Sequence, residues 1–67
     1  MNSTQSGKVK FFNEEKGFGF IQFTNSDKDI FFHKSGTNEY LEQGDEVEFT
    51  IGNGTKGQFA FNIICVN

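Results

Sequence analysis

The 67-residue sequence has no proline and no tryptophan, and only one cysteine, one histidine and one tyrosine. A lone Cys65 excludes an intrachain disulfide and a cysteine-based metal site. Within the run Ile63-Ile64-Cys65-Val66 it reads as a small, half-buried hydrophobe. His33 has no second histidine to share a metal or a proton with, and no paired acid–base groups fall on facing strands. The inventory therefore excludes an enzyme, and no metal or cofactor is expected. No apolar run is long enough to span a membrane. Met1–Ser6 is polar and uncharged, unlike a secretory signal, so the cytoplasm is the default location. Internal repeats and low-complexity tracts are absent. Positive charge is also scarce: six Lys and Arg against nine Asp and Glu leave a net charge of −3, which argues against a crude polyanion binder.

What the chain has in quantity is phenylalanine, ten residues of it, and glycine, eight. A chain this short makes one small domain that hides about 60% of its unfolded surface and is marginally stable. Placing phenyl rings outside such a core weakens it further, so exposed rings call for a function. The stretch Lys16-Gly17-Phe18-Gly19-Phe20-Ile21-Gln22-Phe23 organises the rest. On a strand, Phe18, Phe20 and Gln22 share one face, and Gly19, Ile21 and Phe23 the other. In Asp29-Ile30-Phe31-Phe32-His33, Ile30 and Phe32 point one way, Phe31 and His33 the other. The faces that carry Gln22 and His33 belong to water, which leaves Phe18, Phe20 and Phe31 on the wet side. Bases of single-stranded nucleic acid are the flat partners that such rings fit.

In chain order, Met1–Ser6 is expected to be a disordered tail, with the domain running from Gly7 to Asn67. The first strand spans Gly7–Asn13, with Val9 and Phe11 on one side and Lys10 and Phe12 on the other. Strand two is Phe18–Phe23 and strand three Ile30–His33. Lys34–Gly44 has no regular period and reads as a connection with a helical turn near Glu39–Gln43. In strand four Val47, Phe49 and Ile51 alternate with Glu46, Glu48 and Thr50. Gly52–Gly57 reads as a mobile loop. Strand five runs from Phe59 to Val66, too uniformly apolar for its faces to be assigned. Five short strands, a long third connection and no amphipathic helix predict an all-β, five-stranded antiparallel Greek-key barrel of the OB-fold type. In that fold strands two and three bind oligonucleotides. Lys8, Lys10, Lys16, Lys34 and Lys56 lie beside the aromatic segments or in a glycine loop. Glu39, Glu42, Asp45, Glu46 and Glu48 crowd one stretch, so the charge is segregated and a local basic patch survives an acidic total.

The segments Gly7-Lys-Val-Lys-Phe-Phe-Asn13, Lys16-Gly-Phe-Gly-Phe-Ile21 and Asp29-Ile-Phe-Phe-His33 resemble the bacterial cold-shock proteins. Gly44-Asp-Glu-Val-Glu-Phe49, Lys56-Gly57 and Asn62-Ile63 continue the match. The resemblance implies binding of single-stranded RNA and DNA, with roles in RNA chaperoning, transcription antitermination and translation in the cold. It also implies contacts at Lys10, Phe11, Phe12, Lys16, Phe18, Phe20, Asp29, Phe31, His33 and Lys56. Displaying Phe11 outward conflicts with simple alternation and requires a bulge in strand one. The chain departs from the family in several places. Phe11 stands where Trp is usual, and Lys34 where Phe is usual, exchanging a ring for a cation that joins the phosphate neighbours. Phe32 replaces a common Val and Phe61 a small residue, which predicts a repacked core. The Lys34–Gly44 connection is about four residues shorter, within the variation usual for connections. Tyr40 is a candidate substitute for the aromatic carried there.

On this reading Phe18, Phe20 and Phe31, with Phe11 and Phe12, stack bases. His33 stacks on or hydrogen-bonds a base. Lys10, Lys16, Lys34 and Lys56 neighbour phosphates. Asp29 has two uses open, accepting from a base edge or capping the turn. Stacking tolerates sequence, so low specificity is expected, and a monomer is the simplest state. An RNA-recognition-motif domain is disfavoured for want of helices. The remaining alternative is an OB-fold interaction module whose exposed rings bind a protein partner.

Overall fold

The computed structural model describes residues 4–37, 40–55 and 57–66. Its strands are β1 (Thr4–Asn13), β2 (Phe18–Phe23), β3 (Asp29–His33), β4 (Glu46–Gly54) and β5 (Gly57–Cys65), with one 3-10 turn at Lys34–Gly36. They close a barrel in the order β1-β2-β3-β5-β4, the all-β five-stranded architecture that the alternation predicts. All neighbours are antiparallel except β3 and β5, which run parallel through Phe31↔Phe59 and Phe32↔Ala60. Strand β1 serves two partners. Its N-terminal half pairs with β4 from Thr4↔Thr50 to Lys8↔Glu46, and its C-terminal half pairs with β2 as far as Asn13↔Phe18.

Three boundaries differ from expectation. The tail expected over Met1–Ser6 is strand from Thr4 onward, because ladder bonds to β4 do not depend on the polarity of Thr4, Gln5 and Ser6; Met1–Ser3 lie outside the described residues. The loop expected over Gly52–Gly57 is mostly hairpin, with pairing carried to Gly54↔Gly57. The helical turn expected near Glu39–Gln43 is replaced by the 3-10 turn at Lys34–Gly36, which His33 caps. Glu39 itself lies outside the described residues, and Tyr40–Gln43 carries no helix.

The core collects the inward residues Val9, Ile21, Ile30, Phe32, Val47, Phe49, Ala60 and Ile63, each burial contributing about 1.5–3 kcal/mol for the larger side chains. Cys65 is half-buried against this cluster. No polar side chain is buried among the described residues. Leu41 joins the core from the irregular connection at 1% exposure. The backbone around it is tied down locally: the Gly44 amide donates to the Val9 carbonyl and the Val9 amide to the Asp45 carbonyl, both at 2.8 Å. The Glu42 amide donates to Asp45 Oδ2 at 2.9 Å. Leu41 thus plugs one end of the barrel from a segment without ladder bonds of its own. Leu41→Ala is expected to cost about 2–5 kcal/mol, a large part of the stability of so small a domain. Urea unfolding checks this; an unchanged midpoint would show that the connection carries no core.

Candidate nucleic-acid interface

The outer faces of β1, β2 and β3 lie in register, and reading across them gives rows. One row is Asn13–Phe18–His33, the next Phe11–Phe20–Phe31, the third Lys8–Gln22–Asp29. Phe11 reaches its row because the β1–β2 register shifts between Val9 and Phe11. Lys10 is the extra residue, and the bulge turns Phe11 out while Val9 stays in. The same shift sends Phe12 inward. It faces Gly19 across the ladder and stacks on the buried Phe32 ring, centroids 5.5 Å apart at 23°. Phe12, expected among the stacking rings, is therefore a half-buried companion of the core.

Phe11, Phe20 and Phe31 are exposed, at 43%, 37% and 39%. Phe18 is half-buried because it is the hub of the cluster. Its ring lies 6.2 Å from Phe11, 6.4 Å from Phe20 and 6.0 Å from Phe31, edge-on to the first two and stacked at 26° on the third. Phe20 meets Phe31 edge-on at 6.1 Å. Such edge and offset contacts favour the arrangement by about 0.5–1.5 kcal/mol each. Three rings thus offer surface to a ligand and the fourth fixes their spacing.

Charged groups flank the rings at both ends. On the Asp29 side, Lys10 Nζ lies 3.2 Å from Asp29 Oδ2, with both side chains partly in water. An exposed pair of this kind contributes about 1 kcal/mol or less, so a phosphate can displace the carboxylate. In the adjoining turn the Ser26 hydroxyl accepts from the Lys28 amide at 3.1 Å. On the Phe18 side, the β1–β2 turn is closed by the Gly17 amide donating to the Asn13 carbonyl at 2.7 Å, with the Lys16 amide on Asn13 Oδ1 at 3.0 Å. Gly17 has φ +77°, a left-handed conformation that favours glycine, and its open α-carbon is covered by the Lys34 stem. The Lys34 amide donates to the Gly17 carbonyl at 2.8 Å. Lys16 and Lys34 therefore sit at the same end of the row of rings. Lys56, the fourth expected cation, lies outside the described residues. His33 is exposed in the outer row, and its Nδ1 accepts from the Ser35 amide at 3.2 Å with Ser35 Oγ at 3.0 Å.

The sequence reading missed β5. Phe59 pairs with Phe31 across the parallel ladder and so stands next in the row Phe11–Phe20–Phe31. Phe61 lies on the same outer side, its ring 5.8 Å from that of Phe59; it repacks no core, since Ala60 is the inward residue between the two. The signal was present: Phe59-Ala60-Phe61 repeats the ring–small–ring alternation of Phe18-Gly19-Phe20.

Tyr40 is 67% exposed and lies near Glu14 of the β1–β2 turn. Interaction of its hydroxyl with the Glu14 carboxylate, together with the charges of Glu14 and Glu42, raises the phenol above its usual pKa of 10.0. Replacing Glu14 by Gln removes the charge that disfavours tyrosinate, so the titration is expected to move down toward the ordinary value. Absorbance of the single tyrosine, in a chain without tryptophan, reads this directly. An identical midpoint in Glu14→Gln would place Tyr40 away from the turn.

The comparisons with known proteins agree with this geometry. The family model of the "Cold-shock" DNA-binding domain matches residues 5–66. The chain is 50% identical over 64 residues to the cold shock-like protein CspE of Escherichia coli (strain K12), covering 90% of this chain and 93% of that one. It is 43% identical over 70 aligned residues to the cold shock-like protein CspJ of Salmonella typhimurium (strain SL1344), covering 98% of this chain and all of that one. Among solved structures, Drosophila Unr CSD456 superposes with a TM-score of 0.81 at 25% identity over 98% of this chain, which spans 28% of that structure. A family model matched over residues 5–66, and a relative of 50% identity covered over 93% of its length, establish that this chain belongs to the cold-shock domain family.

Proposed function

We propose that the protein binds single-stranded RNA and DNA across the outer face of β1, β2 and β3, by stacking bases on Phe11, Phe20 and Phe31 with low sequence specificity. The observation that carries the reading is the in-register row of three exposed phenyl rings held by Phe18. Each stacked base is worth about 1–3 kcal/mol, and every base has a face to stack. Lys10, Lys16, Lys34 and Lys56 take the phosphates, while His33 and Asp29 border the outermost bases. A duplex hides its base faces, so capture of transiently unpaired strands shifts weak RNA structure toward the open form. That is the activity of an RNA chaperone and transcription antiterminator in cold or stress adaptation, acting in the cytoplasm as a monomer.

Titration with a labelled oligothymidine tests this against the alternative that the rings dock a protein. Phe20→Ala is expected to weaken binding about tenfold or more while the thermal melt stays cooperative, since the ring lies outside the core. Unchanged affinity in a folded variant would refute stacking on this face.

Lys34 gives a second test. Its stem already lies over Gly17, so a ring at this position finds the same floor. Lys34→Phe is expected to tighten binding and to flatten the dependence of log K on log salt by about 0.7, the contribution of one phosphate on a single strand. An unaltered slope would show that Lys34 touches no phosphate.

A further inference from the structure

The aromatic row does not stop at β3. Cross-strand register carries it through Phe31↔Phe59 to β5, and then through Gly52↔Phe59 to β4. At Gly52 the row has no side chain, and the space is needed. A Cβ there would lie 2.8 Å from the tip of the Phe59 ring and 3.0 Å from Phe61 Cε1. Both rings thus lean back over β4, and their other sides face the edge of β3. The core beneath is completed by Ala60 and Ile63 without them. Between Phe31 and His33 on one side and Phe59 and Phe61 on the other runs a groove of about 330 Å3, ended by Ser35 and Gly36. It opens onto the face of Phe31, and therefore directly onto the row described above.

We propose that this groove is an additional base-binding subsite, in which a nucleobase of the same strand packs against the Phe59–Phe61 pair after passing Phe31. The inference rests on the single-strand binding proposed above. Continuity of the row selects the occupant. A strand that stacks on Phe31 has its next base within reach of Phe59, in the neighbouring strand of the sheet, and the groove is aromatic on both walls. Ser35 and His33 supply polar atoms at its rim, where the edge of a base needs them. The consequence is a binding site longer than the three exposed rings account for.

The test is affinity against oligothymidines of increasing length, by fluorescence anisotropy of end-labelled strands, for the full chain and a Phe59→Ala/Phe61→Ala variant. The variant is expected to match the parent on the shortest strands, to stop gaining affinity about one nucleotide earlier, and to be weaker by about fivefold or more on long ones. A Phe59→Leu/Phe61→Leu variant, which keeps apolar bulk over Gly52 but loses the flat faces, is expected to show the same early plateau with an unchanged thermal melt. Equal plateaus for the parent and the folded leucine variant would overturn the subsite and leave the Phe20-dependent binding standing. Loss of affinity at every length alike would overturn it too, since that marks damage to the shared platform. A parent that self-associates through these rings, with the leucine variant monomeric and its length dependence intact, would assign the groove to a protein contact instead. Failure of the parent to bind any strand would remove both proposals together.

Discussion

Contacts among phenyl rings fix the outer face of this barrel in one geometry. Phe18 touches three others, and Phe20 and Phe31 close the cluster, at centroid distances of 6.0–6.4 Å. An isolated exposed phenyl ring is mobile and hydrated at a cost; a ring with edge and offset neighbours recovers part of that cost without leaving the surface. It is also held near one orientation before any ligand arrives. Preorganisation of this kind is what lets a flat ligand gain stacking energy without ordering the side chains it lands on. The half-burial of Phe18 is thus a condition for the exposure of the other three.

That cluster depends in turn on backbone register. A strand that alternated strictly would place Phe11 with Val9 in the core. The shift at Lys10 separates them, adds a cation at the edge of the platform and bends β1 where it passes from β4 to β2. On the far side, two pairs of residues join β3 to β5, which is enough to align Phe59 with Phe31 and close the sheet. Closure leaves few unpaired edges, a requirement for a chain that shows this much aromatic surface to water.

The parts of this arrangement that were legible in the sequence are those with a period of two. Phe18-Gly19-Phe20-Ile21 and Ile30-Phe31-Phe32-His33 declare both faces, and β2 and β3 lie where alternation puts them. β4 does the same through Val47, Phe49 and Ile51. Phe11 was readable as outward only through the family resemblance, because a bulge leaves no mark in a hydrophobic pattern. Phe12 went wrong for the same reason, since one inserted residue reverses every side chain after it. Leu41 was invisible because a single apolar residue in an aperiodic stretch carries no pattern; its role comes from tertiary closure over the barrel end. The β5 faces were blurred by Ile63 and Ile64, two neighbours of which only Ile63 is buried. The tail and the Gly52–Gly57 loop were extended too far because composition reports side chains, whereas ladder bonds involve the backbone of any residue but proline.

Charge decides how the platform is used. The chain carries −3 overall, with six lysines against nine carboxylates, so few cations are available to hold phosphates. In the binding mode proposed above, counterion release supplies a small share of affinity and stacking a large one. A basic protein of this size would hold duplex and single strand alike through their phosphates, whereas an acidic one with a ring-lined face gains only where bases are unstacked and open. In that proposed mode, discrimination between paired and unpaired nucleic acid follows from having many rings and few lysines, without any residue that reads the difference directly.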